Sequence, residues 1–168
     1  MQDAPEATPK VWLDYDQAAL DAAYDQACYA PNQDAVKDRR LMMSRIVRER
    51  LGEPETVRYG DGGNETFDLY RANGENRPLA IYVHGGAWRA GRARDFAFIA
   101  EPFIRAGAHV AILDFDLVQD RGGDLFPMVN QAHAATAQIY EKAHDYGADP
   151  ARIHLIGHSS GAHMAGCV

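Results

Sequence analysis

The sequence predicts an α/β fold, a mostly parallel, doubly wound sheet flanked by helices and preceded by an N-terminal helical extension. Two observations carry this. From residue 79 onward, short and nearly continuous apolar runs alternate with longer stretches of helical period, the pattern of strands covered on both faces by crossover helices. Two of those runs also end in glycine-rich turns whose chemistry belongs at the carboxyl ends of parallel strands. Leu79 to Val83 leads into His84-Gly85-Gly86-Ala87-Trp88, and Arg152 to Ile156 leads into Gly157-His158-Ser159-Ser160-Gly161.

Taken in order, Asp14 with Gln17 three residues on has the form of a capping box, and the alanine-rich stretch to about Ala30 predicts a first helix. Pro31 and Asn32 end it. A second helix follows, with Val36, Met43, Val47 and Leu51 at helical spacing and Ala35, Met42 and Ile46 widening the apolar stripe; Gly52 and Pro54 stop it. These helices either cap a site or pack outside the sheet, and Trp12 and Tyr15 either line a pocket or staple the chain entry. Residues 1–54 are thus read as a helical extension and 55–168 as the sheet-bearing part of one domain.

Thr56 to Tyr59 and Thr66 to Tyr70 alternate apolar with polar around the turn Gly60 to Asn64 and predict an antiparallel hairpin. Asp95 opens a helix that places Phe96, Ile99, Phe103 and Ile104 inward and closes at Gly107. Ala108 to Phe115 reads as a buried parallel strand, and Gly122-Gly123 as a loop. A long helix from about Asp124 to Tyr146 carries Leu125, Val129, Ala132, Thr136, Ile139 and Ala143 on one stripe, with Gly147 as its stop. Asp149-Pro150 predicts a turn before the strand Arg152 to Ile156.

The second glycine turn is Gly-x-Ser-x-Gly placed between a strand and a run of small helix-compatible residues, the sequence form of a nucleophile elbow. A serine on such a turn stands clear of the sheet, and glycine at Gly157 and Gly161 leaves room for the helix to approach the strand. Ser159 is the expected nucleophile. The N–H of Ser160, at a helix start, and those of Gly85, Gly86 and Ala87 in the upstream loop are the expected oxyanion donors. His84 is expected to hold that loop by hydrogen bonding, and His158 to orient the elbow. Trp88 either borders an acyl pocket or is core. The two motifs, in this order and each at a strand end, predict an α/β-hydrolase.

His84 to Trp88 together with Gly157 to His163 resembles the kynurenine formamidase (arylformamidase) and small-esterase branch of the α/β-hydrolases. Trp12-Leu13-Asp14-Tyr15-Asp16-Gln17 and Leu113-Asp114-Phe115 are similar to bacterial members of that group, so the resemblance spans most of the chain. It implies a serine hydrolase that cleaves N-formyl-L-kynurenine to kynurenine and formate, a step of tryptophan catabolism, through an acyl-enzyme on Ser159. Two other readings stay open, a carboxylesterase acting on small acyl esters and a non-catalytic binding protein that kept the cavity.

In this fold the triad follows the order Ser, acid, His, yet nine residues follow Ser159, none of them acidic. Among them His163 is the one histidine, and the resemblance gives it no role as base. The triad Asp and His are therefore read as not present, and the chain as the N-terminal part of a hydrolase, cut just after the elbow. Its strand Arg152 to Ile156 would then lie at an open edge that invites pairing with another chain, a homodimer being one such assembly.

A net charge of −7 argues against nucleic acid as partner, because phosphate binding needs a clustered positive surface. The acidic start Met1 to Glu6 and the lack of a long apolar run predict no membrane span and a soluble cytoplasmic protein. Cys28 and Cys167 give neither a disulfide framework nor a metal spacing, and both are expected to be buried. His154, His158 and His163 do not share a helix face, so no metal is expected, and the chemistry needs no cofactor. The partner is a small formamide or ester. One of Arg89, Arg92 and Arg94 either meets the carboxylate of an amino-acid-like substrate or belongs to a solvated charge run. Asp114 and Asp116 are expected to cap loops.

Overall fold

The structure is a computed structural model that describes residues 8–168; the acidic start Met1 to Glu6 lies outside them. The chain forms two compact units, one ending at Asp38 and the other running from Arg39 to Val168.

In the first unit β1 (Lys10–Trp12) pairs antiparallel with β2 (Tyr15–Asp16), and Trp12 stacks on Tyr15 at 6.0 Å. This hairpin corrects the expected helix start. The cap is Asp16, whose carboxylate accepts from the Ala19 N–H at 2.8 Å, while Asp14 instead pairs with Lys10. The helix α1 (Gln17–Tyr24) is shorter than expected and is followed by a 3-10 turn over Gln26–Tyr29 that begins where the Asp25 side chain accepts from Ala27 N–H.

Helix α2 (Gln33–Leu51) matches expectation in length, and the middle of its expected stripe is covered, Val47 being buried and Met43 and Ile46 half-buried, while the ends of the stripe are open. Val36, Met42 and Leu51 are exposed, and its buried residues are Ser44 and Val47. Ser44 Oγ donates to the Asp95 carbonyl at 2.8 Å and accepts from Phe98 N–H at 3.3 Å, so the helix docks on the backbone of a turn through a hydroxyl.

The second unit is built on one five-stranded sheet. The strands are β3 (Glu55–Arg58), β4 (Thr66–Tyr70), β5 (Arg77–Val83), β6 (His109–Leu113) and β7 (Ala148–Gly157), in the spatial order β3-β4-β6-β5-β7. β3 and β4 form the expected hairpin, with Val57 opposite Phe67; β4 runs antiparallel to β6, whereas β6 and β7 both run parallel to β5. The crossover between β5 and β6 is a 3-10 segment, Ala93–Ile99, continued by α3 (Ala100–Arg105). The expected single helix is thus divided in two, and its 3-10 part opens on a tight turn in which Asp95 accepts from Arg92 N–H. Between β6 and β7 runs α4 (Phe126–Glu141), followed by a 3-10 turn over Ala143–Tyr146, and α5 (Ser160–Gly166) leaves the end of β7.

Alternation along the strands sends Phe67, Leu69, Ile81, Val83, Ala111 and Leu113 to one face, where Met128, Ala132 and Ile139 of α4 and Met164 of α5 cover them. Tyr70, Ala80, Tyr82, Val110 and Ile112 face the other way, under Phe96, Ala97 and Ala100. The turn expected at Asp149-Pro150 lies inside β7 instead. Arg77 pairs with Ala148 but Leu79 with Ile153, so the extra residues form a bulge, with Asp149 accepting from Ala151 N–H. A proline fits there because a bulge on an outer strand asks for no ladder N–H. Among the described residues β7 pairs with β5 alone, as the open-edge expectation requires.

Both cysteines are exposed, contrary to expectation: Cys28 lies in the 3-10 turn and Cys167 just after α5, neither against the core. No helix among the described residues is long and apolar enough to cross a membrane.

Candidate active site

The two parallel strands β5 and β7 end side by side, Val83 opposite Gly157, and this register brings both glycine turns to one place. At the end of β7 the chain reverses through Ser159, which takes φ 53° and ψ −123°, a conformation that L-residues rarely adopt. The reversal needs missing side chains on either side. A Cβ on Gly157 would stand 2.4 Å from Ala162 Cα, and one on Gly161 would stand 2.2 Å from the Val83 carbonyl oxygen. Backbone hydrogen bonds then fix the turn: His158 N–H donates to Val83 at 3.2 Å, and the N–H groups of Gly161 and Ala162 donate to the carbonyls of His158 and Ser159 at 2.9 Å each. Ser159 is exposed while Ser160 behind it is buried.

The loop after β5 lies against this elbow. A Cβ on Gly85 would meet the His158 carbonyl oxygen at 2.8 Å and Ser159 Cβ at 3.0 Å. Ala87 and Trp88 both have positive φ, 52° and 59°, so two successive residues other than glycine are held in the left-handed region. Their anchors are visible. Trp88 N–H donates to Ser160 Oγ at 3.3 Å, its carbonyl accepts from Val118 N–H at 2.8 Å, and the Gly86 carbonyl accepts from Arg89 and Ala90 at 3.0 Å. Among the described residues, the N–H groups of Gly85, Gly86, Ala87 and Ser160 have no acceptor, whereas that of Trp88 is taken. The four free groups are those the sequence singles out; Gly85 packs directly against Ser159, Gly86 and Ala87 follow it in the loop, and Ser160 begins α5.

His84 is buried between the rings of Phe96, at 4.9 Å, and Phe115, at 4.4 Å, both nearly parallel to it. Its Nδ1 bonds the Gly85 carbonyl at 2.8 Å, which is the loop-holding role expected of it. Burial pushes its pKa down to about 4, so the ring is neutral near pH 7 and Nδ1–H is the donor. Its Nε2 faces Asp114 at 3.9 Å, and burial pushes the Asp114 carboxyl up to about 6. Asp114 accepts from Ala93 N–H at 3.0 Å and so caps the 3-10 segment, as expected of it.

Trp88 is half-buried and packs on the core beside α4 and α5, with the exposed His163 edge-on to its ring at 5.6 Å. The three arginines separate. Arg92 donates to the Phe115 carbonyl, and with Arg94, Arg48, Asp68 and Asp114 it lines a cavity of about 370 Å³. Arg89 stays exposed on the glycine loop. What the sequence did not reveal is the support: Ser160 Oγ, Val118, and the Gln119 side chain, which donates to the Arg89 carbonyl at 3.0 Å. No local pattern marks residues that act through backbone carbonyls.

The BD-FAE family model matches residues 67–168, from β4 through the elbow. The chain belongs to the BD-FAE family. This places it in the α/β-hydrolase superfamily, on the kynurenine formamidase and esterase branch, where its relatives lie. It is 25% identical over 166 residues to the kynurenine formamidase of Salmo salar, covering 94% of this chain and 54% of the relative. To isoprenylcysteine alpha-carbonyl methylesterase of Arabidopsis thaliana it is 30% identical over 114 residues, covering 67% of this chain and 26% of the relative. A solved structure of a candidate thioesterase from Silicibacter sp. matches with TM-score 0.71 and 26% identity over 88% of this chain and 54% of that one. Esterase Est2 of Thermogutta terrifontis, at TM-score 0.63 and 23% identity over 70% of this chain and 45% of that one, shares the fold. The BD-FAE chain thus spans about half the length of the formamidases it matches.

Proposed function

We propose that this BD-FAE chain carries the nucleophile and oxyanion half of a serine hydrolase that cleaves a formamide, with N-formyl-L-kynurenine as substrate. The observation that carries the reading is an exposed, strained Ser159 packed against Gly85, in a loop whose Gly86 and Ala87 N–H groups, like that of Ser160, have no acceptor among the described residues. A histidine acting as general base takes the Ser159 proton. The alkoxide adds to the formyl carbon, and the free N–H groups hold the resulting oxyanion. The C–N bond breaks as the histidine returns the proton to the leaving amine, and water then releases formate from the formyl-enzyme. Each oxyanion donor contributes about 3 kcal/mol to the transition state.

A second reading, a carboxylesterase on small acyl esters, is favoured by the likeness to the plant methylesterase across the part that holds both motifs. One experiment orders the alternatives. The protein expressed from its own gene is treated with an organophosphonate probe and assayed on N-formylkynurenine and on p-nitrophenyl acetate. We expect labelling that Ser159→Ala removes, and faster turnover of the formamide; faster turnover of the ester selects the carboxylesterase. Absence of labelling overturns both and leaves a binding protein.

A further inference from the structure

We infer that Asp116 is a positioning residue for the oxyanion loop: held by Asn64, Gln131 and Arg121, it fixes the segment Asp114 to Arg121, which grips the carbonyls of Trp88 and Arg89 and thereby aims the N–H groups of Gly86 and Ala87. The inference rests on the reading of those N–H groups as oxyanion donors.

Asp116 is 7% exposed, an unusual place for a carboxylate unless its oxygens are fully bonded. They are. Asn64 Nδ2 donates to Oδ1 at 2.8 Å, and Oδ2 receives Gln131 Nε2 at 2.8 Å and Arg121 Nε at 2.7 Å, with a second bond from Arg121 Nη2. Its own N–H donates to Gln131 Oε1 at 3.0 Å, so one glutamine of α4 holds this residue by backbone and side chain together. Burial alone would raise the carboxyl, but the bonds from Asn64, Gln131 and Arg121 outweigh it and keep the group below the usual carboxylate range, hence ionised.

The consequence runs through the next residues. Arg121 ends the 3-10 turn Val118–Arg121, so its fork on Asp116 closes that turn into a ring. From the ring, Val118 N–H reaches the Trp88 carbonyl and Gln119 Nε2 reaches the Arg89 carbonyl. The residue before Asp116 adds a third hold, because the Phe115 ring lies on His84, whose Nδ1 bonds Gly85. Two left-handed residues in succession cost about 1–3 kcal/mol each and persist only where the surroundings over-determine them. These contacts do that. Among the described residues Gln131, Asn64 and Arg121 make no hydrogen bond to the loop itself, so the carboxylate they hold acts on the reaction by geometry.

The test uses the protein expressed from its own gene. With p-nitrophenyl acetate, Asp116→Asn and Arg121→Ala are expected to lower kcat about 10- to 100-fold while KM stays within about twofold. Probe labelling of Ser159 slows in step, and Arg121→Lys, which keeps charge without the fork, restores only part of the rate. Rates are normalised to folded protein by the unfolding transition. Arg121 is 44% exposed, so its alanine variant stands should Asp116→Asn not fold. Unchanged kcat per folded molecule in both variants overturns the inference. If the parent protein neither labels nor turns over, the hydrolase reading has failed by itself. Hydrogen exchange at the amides of Gly86 to Trp88 then decides: faster exchange in Arg121→Ala supports the positioning role, and unchanged exchange overturns it.

Discussion

Gly85 and Ser159 face one another so closely that a methyl group on Gly85 would stand 3.0 Å from Ser159 Cβ and 2.8 Å from the carbonyl oxygen of His158. The carbonyl cannot rotate away, because it accepts the Gly161 N–H that starts the helix. Gly85→Ala is therefore expected to part the oxyanion loop from the elbow by several tenths of an ångström. We expect kcat to fall about 100-fold and stability to fall by about 1–3 kcal/mol. Steady-state kinetics beside thermal unfolding separates the two effects, and parent-like kcat in the variant would mean that the loop does not act at Ser159.

Gly161 tests the frame more severely. A Cβ there would lie 2.2 Å from the Val83 carbonyl oxygen and 2.4 Å from that of His84, both backbone atoms of the central strand end. Gly161→Ala is expected to cost about 3 kcal/mol or more, at or beyond the upper end for overpacking. Gly63→Ala, at an exposed turn with no atom within 4 Å, should change stability by less than about 0.5 kcal/mol. Equal unfolding midpoints for the two variants would contradict the close approach of α5 to β5.

These glycines explain why so much of the site was legible in the sequence. The elbow and the loop are written in residues that tolerate crowding and positive φ, placed directly after apolar runs, so local pattern reports on tertiary contact. The strands followed for the same reason, since β5 and β6 are buried on both faces and read as continuous apolar runs. Helix α2 shows the limit. Its apolar stripe correctly places Val47 inside, yet nothing in the pattern marks Ser44, which docks on carbonyl and amide groups that periodicity does not register. The support of Trp88 by Val118 was hidden likewise, since a backbone N–H carries no sequence signal.

Of the three arginines after the loop, Arg89 is the one we propose for a substrate carboxylate. Arg92 is engaged by the Phe115 carbonyl, and Arg94 lines the cavity beside Asp68 and Asp114, while Arg89 follows Trp88 on the loop itself. Arg89→Ala is expected to raise KM for N-formylkynurenine about tenfold, the loss of one exposed charge-assisted contact. KM for p-nitrophenyl acetate, which has no carboxylate, should stay unchanged. An equal change in both would assign Arg89 to the loop's structure.

His84 and Asp114 give the protein a pH response that single variants should expose. His84 titrates at about 4 when folded against 6.5 when unfolded, so between these values the unfolded chain binds the extra proton and stability rises with pH. Asp114 titrates at about 6 against 3.8, so over nearly the same interval the folded chain binds the extra proton and stability falls with pH. In the parent protein the two slopes oppose each other from about pH 4 to 6. Asp114→Asn keeps an oxygen for the Ala93 N–H and removes one slope. Between pH 6.5 and 4 this variant should lose up to about 3 kcal/mol more stability than the parent. Denaturant midpoints across that range measure it. Parallel profiles would show that the Asp114 carboxyl binds its proton no more tightly in the folded state than in the unfolded one, against its burial.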